Sequence, residues 1–217
     1  TSGLTASTIQ DLTIDQEGNL WIGGIGFLSK FDGTSATNFS TDNGLSNMLI
    51  SAILVDSLGN LWVGNYDGLG LYKYDGSCFL PIPVHYNPEN EVVGQLIEAP
   101  GGIIWGGGNR LLFSIQGDSV TRYGVKDGLP DANIRSIVFA PTRGVLVFTG
   151  TGNFIFKDGR FEPFTEIPVL VSYQSVYTDR SGNIWFWTLT TGKGQLGKYD
   201  GHTTVYFSKE QGATNPG

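Results

Sequence analysis

The sequence predicts an all-β fold, a β-propeller of five four-stranded antiparallel blades of about 42 residues each. Three observations carry this expectation: one turn phrase recurs along the chain, a second phrase recurs at the same spacing, and no segment sustains a helical apolar period. The turn phrase is Asp15-Gln16-Glu17-Gly18-Asn19-Leu20-Trp21, which returns as Asp56-Ser57-Leu58-Gly59-Asn60-Leu61-Trp62 and as Asp179-Arg180-Ser181-Gly182-Asn183-Ile184-Trp185. Weaker copies run through Trp105 and through Val147, where Val stands in the Trp position, with Ala99 and Pro141 in the Asp position. The landmarks at 21, 62, 105, 147 and 185 are 41, 43, 42 and 38 residues apart.

The second phrase is Phe31-Asp32-Gly33, repeated at Tyr74-Asp75-Gly76, Lys157-Asp158-Gly159 and Tyr199-Asp200-Gly201, with Ile115-Gln116-Gly117 as its degenerate member. Its glycines at 33, 76, 117, 159 and 201 step by 43, 41, 42 and 42. A looser mark is Gly3-Leu4, Gly44-Leu45 and Gly128-Leu129. Two phrases holding one period imply a single propeller domain over residues 1–217, with blades at approximately 9–47, 48–90, 91–132, 133–170 and 171–217. Five repeats either close a small ring, which is the expectation here, or form part of a larger one.

Within the first repeat the elements follow from local pattern. Ile9 to Ile14 alternates apolar and polar residues, and Glu17-Gly18-Asn19 turns the chain. Leu20-Trp21-Ile22 makes a second strand closed by Gly23-Gly24, Phe27 to Phe31 a third, and Thr37-Asn38-Phe39 a short fourth. The Asp that opens each turn (Asp15, Asp56, Asp179) is placed to accept hydrogen bonds from the turn's own amides. Trp21, Trp62, Trp105 and Trp185 are expected to wedge between blades, each burying area worth at most about 4–6 kcal/mol.

Composition narrows function. The 217 residues carry 13 Lys+Arg against 20 Asp+Glu, a formal charge of −7, with no basic cluster of the kind that neutralises phosphates. Nucleic acid and anionic membrane surfaces are therefore not expected partners. Cys78 is the single cysteine, so no internal disulfide forms, and with two histidines (His85, His202) no Cys/His zinc site can be assembled. Apolar runs fall far short of the ~20 residues of a spanning helix. Opening on Thr1 rather than Met reads as a processed or excised polypeptide.

The combination of Asp-x-x-Gly-Asn-Leu-Trp, then Tyr-Asp-Gly, then a Gly-Leu loop resembles the two-component regulator propeller repeat. The likeness is best in repeats 1, 2 and 5. That family builds extracytoplasmic sensor regions of bacterial hybrid histidine kinases, so the resemblance implies a periplasmic or extracellular, non-catalytic, ligand-sensing module that needs no cofactor. Oligosaccharides are among the family's ligands. Self-association through blade faces or loops is a further expectation.

Propeller ligands are expected at the loops between blades and between second and third strands. There Asn65-Tyr66-Asp67 and Asn109-Arg110 form a polyol-binding set or ordinary solvated loops. Two residues past each landmark stand the small Gly23, Gly64, Gly107 and Thr149, whereas the fifth repeat has Trp187. Trp187 is a stacking platform for a sugar or a filler of a wider blade gap. Arg135 meets an anion in the channel or bridges a carboxylate. Gly106-Gly107-Gly108 reads as a tight connection at a strand end. Other classes considered are a structural or protein-interaction propeller, a five-bladed lectin and, as the outsider, a glycan hydrolase or lyase. Glu91, Glu98 and Glu166 are too few to assign an acid and a base.

Overall fold

The computed structural model describes residues 8–66, 70–84, 91–130, 133–169, 176–190 and 193–207. The chain folds into five four-stranded antiparallel propeller blades in two compact units, Thr1–Arg122 and Tyr123–Gly217. The first unit holds three blades: β1 (Ile9–Ile14), β2 (Leu20–Gly24), β3 (Phe27–Phe31) and β4 (Ala36–Phe39); then β5 (Ile50–Val55), β6 (Leu61–Asn65), β7 (Leu71–Tyr74) and β8 (Phe79–Pro81); then β9 (Gln95–Ala99), β10 (Ile103–Gly108), β11 (Leu111–Gln116) and β12 (Ser119–Arg122). The second unit holds β13 (Ile134–Ala140), β14 (Gly144–Thr149), β15 (Asn153–Lys157) and β16 (Arg160–Pro163), followed by β17 (Tyr177–Thr178), β18 (Ile184–Thr190), β19 (Lys193–Tyr199) and β20 (Thr204–Phe207). No helix among the described residues is long and apolar enough to cross a membrane.

Each sheet is a meander in sequence order, so its two faces are set by strand alternation. In the first unit, Trp21 and Leu28 of blade 1 are buried against Ile53, Leu61, Val63, Tyr72 and Phe79 of blade 2. Trp62 and Leu71 of blade 2 repeat the arrangement against Ile104, Phe113 and Ile115 of blade 3. Trp21 and Trp62 thus wedge between blades, as expected. In the second unit, Leu146, Phe148 and Ile155 of blade 4 share a core with Ile184, Phe186 and Tyr199 of blade 5.

The sequence period reappears as a spacing of hydrogen bonds between blades. Asp11 Oδ2 accepts from the Ile53 amide (2.7 Å, 42 residues apart), Ser51 Oγ donates to the Val93 carbonyl (2.5 Å, 42 apart), and Gln16 Nε2 donates to the Ser57 carbonyl (3.0 Å, 41 apart). Glu98 accepts from both the amide and the hydroxyl of Ser57, again 41 residues away. One repeat therefore displaces the chain by one blade.

Two expectations are corrected. In repeat 4 the residue in the tryptophan position is Leu146, not Val147. Leu146 pairs with Val138 and Ile155, as Trp21 pairs with Thr13 and Lys30, and Val147 faces the other side. The turn itself has the same length, since Ala140 pairs with Gly144 as Asp15 bonds Asn19; Ala140 rather than Pro141 stands in the Asp position, and no Asp or Asn marks the count. A one-residue slip in a strand exchanges its faces. Phe148 rather than Thr149 then corresponds to Gly23. The second correction concerns Gly106-Gly107-Gly108, which forms the end of β10 rather than a connection: Gly106 and Gly107 pair on both sides, and Gly108 pairs with Leu111. The Phe113 ring occupies the volume a Gly106 side chain would need, its Cζ 2.2 Å from where a Cβ would sit.

The Gly-Leu mark also has a structural basis. A single 3₁₀ turn, Thr41–Asn43, ends on Gly44 in the left-handed region (φ 98°), and Val125–Asp127 ends the same way on Gly128 (φ 96°). Leu45 and Leu129 then drop into the core.

Candidate functional site

Strand order gives each blade two ends. The β1–β2 and β3–β4 turns share one end, and the β2–β3 loop lies at the other.

At the turn end the motif is a closed hydrogen-bond unit. Asp15 Oδ1 accepts from the Asn19 amide (2.8 Å), the Asn19 side chain donates to both oxygens, and Trp21 Nε1 donates to Oδ2 (3.0 Å). Asp56, Asn60 and Trp62 repeat it, with the indole at 2.9 Å, and Asp179, Asn183 and Trp185 repeat it at 2.8 Å. A lysine directly across the strand pair stands over each indole, with Lys30, Lys73 and Lys198 at 5.4, 5.1 and 5.6 Å from the ring centroids. Repeats 3 and 4 lose the aspartate and the lysine together: Trp105 pairs with Ser114, and Leu146 with Ile155.

These contacts set the charge state. Burial works to raise the Asp15 and Asp56 carboxyls, but the bonds from Asn, Trp and backbone amides, and for Asp15 also Lys30, outweigh it and hold both below the ordinary carboxylate value. The Trp185 indole, with Asn183, lowers Asp179 to about 2. Asp11 behaves oppositely: burial pushes it up against the Ile53 and Leu12 amides.

At the loop end the predicted residues separate. Tyr66 follows β6 with its side chain exposed (46%). Asn65 is fully buried, and its Nδ2 donates to the Asn47 carbonyl (3.1 Å), so it fastens the inter-blade loop. Asn109 and Arg110 make the two-residue β10–β11 turn, with Arg110 at φ 55°. Asp67 lies outside the described residues, as does His85. In the second unit Trp187 is half-buried on β18, and its ring occupies the volume a Gly194 side chain would need on β19 (Cζ2 2.3 Å from the Cβ position). Arg135 is half-buried at a β13 bulge beside Gly150.

The sequence directed attention to the loop end, yet a groove of about 620 Å³ lies at the turn end of the first two blades. Asp15, Trp21 and Lys30 line it on one side, and Asn60, Tyr74 and Asp75 on the other. The signal for it was present in the paired Asp-Trp and Tyr-Asp-Gly phrases. Those residues are fully explained by turn mechanics, which hid the concavity they enclose. Asp75, for example, accepts from the Ser77 and Cys78 amides of its own turn.

Residues 3–26 and 44–67 match the family model described as two component regulator propeller. Each match spans the Gly-Leu loop, the first strand, the Asp turn and the tryptophan strand. Repeats 1 and 2 are thus two-component regulator propeller repeats. No curated protein matches it in sequence. Among solved structures, the extracellular domain named for a hybrid two-component system of B. thetaiotaomicron is 20% identical over 95% of this chain and 30% of its own, with a TM-score of 0.73. A second such domain from the same organism is 19% identical over 83% of this chain and 26% of its own, at 0.68. Virginiamycin B lyase from Staphylococcus aureus is 14% identical over 92% of this chain and 69% of its own, at 0.74. At these identities the likeness speaks for the propeller fold. The chain spans about a third or less of the length of the two sensor domains.

Proposed function

We propose that this chain is a non-catalytic, extracytoplasmic ligand-binding propeller of a signalling protein, and that its ligand is a small polar molecule of carbohydrate class. The observation that supports this most directly is the match of two repeats to the regulator propeller model. The placement of side chains is in keeping with it. The motif residues are spent on one another at the turn end, which leaves the β2–β3 loops to vary. In the first unit these loops present Tyr66, an amphipathic ring suited to a sugar face, and the Asn109–Arg110 turn with hydrogen-bonding groups. Trp187 is the corresponding candidate in the second unit.

A non-catalytic role is favoured by how the carboxylates are used. Glu98 is bound to Ser57, and Glu166 accepts two bonds from Arg143 (3.0 and 2.8 Å). Neither is left as a poised acid or base for glycoside cleavage.

A thermal-shift screen of mono- and oligosaccharides tests the proposal. A ligand-dependent rise in Tm that Tyr66→Ala or Trp187→Ala removes is the expected result. Absence of any shift at saturating sugar, or turnover of a glycoside panel, would overturn it. Lys73→Ala, at the groove, locates any binding at the turn end instead.

A further inference from the structure

The groove at the turn end of blades 1 and 2 lies wholly within the first unit, and its walls are fixed to one another. Trp21 of one wall meets Tyr74 of the other edge-on (5.8 Å between centroids, 63° between planes), and the Gln16–Ser57 bond ties the two turns that flank it. A site held in this way pays little ordering cost on binding. Its volume of about 620 Å³ is that of a small-molecule site.

Most polar groups of the lining are already satisfied. Asp15 is held by Asn19, by Trp21 and by Lys30, the last as an ion pair at 3.0 Å. The Asn60 side chain donates to both oxygens of Asp56, Asp75 accepts from its own turn, and the Tyr74 hydroxyl donates to the Gly76 carbonyl (2.9 Å). Two charges are left over. No described residue bonds the exposed Glu17 carboxylate. The Lys73 ammonium stands over Trp62 without a carboxylate partner among the described residues, although its counterpart Lys30 has one. The remaining lining is apolar: Leu80 is 48% exposed, and Val55 is partly buried.

A neutral polyol would find few uncommitted donors or acceptors on these walls. One anion, one cation and apolar area between them are instead the complement of a zwitterion with an apolar side chain. We propose that this groove binds a free amino acid or short peptide of apolar residues, with its ammonium at Glu17, its carboxylate at Lys73 and its side chains against Leu80 and Val55. Each terminus then makes a charge-assisted hydrogen bond. The site is at the opposite end of the blades from the loops assigned to carbohydrate, and it does not rest on that assignment.

Isothermal titration calorimetry on the full chain tests it, with leucine, leucylleucine and leucylleucylleucine as probes. At least one is expected to bind, and N-acetylating or amidating that probe is expected to weaken binding about threefold to tenfold. Glu17→Gln is expected to bind the acetylated and unblocked forms equally, and Lys73→Met the amidated and unblocked forms equally. Matching each variant to one terminus separates recognition from a loss of structure, which would lower all affinities together. Tyr66→Ala is expected to leave peptide binding unchanged, so failure of the carbohydrate reading would be seen apart from failure here. Absence of binding by all three probes would overturn the proposal. So would blocked probes that bind the wild-type chain as tightly as unblocked ones, a blocking penalty that survives in the matched variant, or loss of peptide binding in Tyr66→Ala.

Discussion

Trp62 Nε1 donates to Asp56 Oδ2 across 2.9 Å, joining the first and last residues of a six-residue step around the β5–β6 turn. Asp56 is nearly buried, and its other oxygen is held by Asn60 and the turn amides. The indole thus serves twice, as an apolar wedge against blade 3 and as the donor that satisfies a carboxylate.

Trp62→Phe keeps an aromatic wedge and removes the donor. A hydrogen bond to a charged group contributes about 1.5–3 kcal/mol, so a loss of that size is expected in urea denaturation.

Stability is expected to fall in acid. Asp15, Asp56 and Asp179 all have folded values below the ordinary carboxylate value, Asp179 at about 2. The folded state therefore holds its charges where the unfolded chain, at about 3.9, takes up protons. Their contribution is complete above about pH 4–5 and is lost as pH falls through the folded values. Asp11 opposes this in the window just above the unfolded value, since its raised folded value favours the protonated native state and stability from it declines as pH rises. Asp32, Asp75 and Asp200 are lowered as well, so six lowered carboxyls against one raised carboxyl set the net sign. Denaturation midpoints measured down to about pH 2.5 should drop steeply below about pH 4, and Asp179→Asn should flatten that slope.

Gly44→Ala and Gly18→Ala separate backbone strain from crowding. Both positions have positive φ, 98° and 86°, which costs a side chain about 1–2 kcal/mol. Space is open around Gly18, whereas a Cβ on Gly44 would fall 2.5 Å from the Phe79 carbonyl oxygen. Gly18→Ala should cost about that strain alone, and Gly44→Ala about 2–5 kcal/mol once overpacking is added. Thermal denaturation of the two variants checks the order.

Arg143 replaces the missing motif in the second unit. It donates to Glu166, to the Tyr199 hydroxyl (2.9 Å) and to the Gly201 carbonyl (2.7 Å), tying the β13–β14 turn to blade 5. The Tyr199 hydroxyl donates to Glu166 in turn. The guanidinium and the carboxylate are substantially exposed, so Arg143→Met is expected to cost only about 1 kcal/mol. A loss as large as that of Trp62→Phe would show that the latch matters as much as the motif.

Most of the fold was legible because turn chemistry is local. The strands of the first repeat, Ile9–Ile14 and Phe27–Phe31 among them, follow from alternation and from Gly-Asn and Asp-Gly turns. Repeat 4 was misread by one residue because its turn, of the same length, has Ala140 and Gly144 where the others have Asp and Asn, so nothing marks the count and pairing alone decides which face Leu146 joins. The candidate site was less legible. Asn65 and Tyr66 are neighbours with similar loop character, yet one is fully buried on Asn47 and the other faces solvent.

The amino-acid order alone determined the repeat, its period and the tryptophan position on the second strand in repeats 1, 2, 3 and 5, because each depends on bonds within one turn or one strand pair. Tertiary structure decided what lies 41 or 42 residues away: the Asp11–Ile53 and Ser57–Glu98 links, the groove beside Trp21, and which copies of the same apolar row are covered. Equivalent residues such as Leu12 and Ile53 have the same local pattern, and only a packed neighbouring blade makes one surface and the other core.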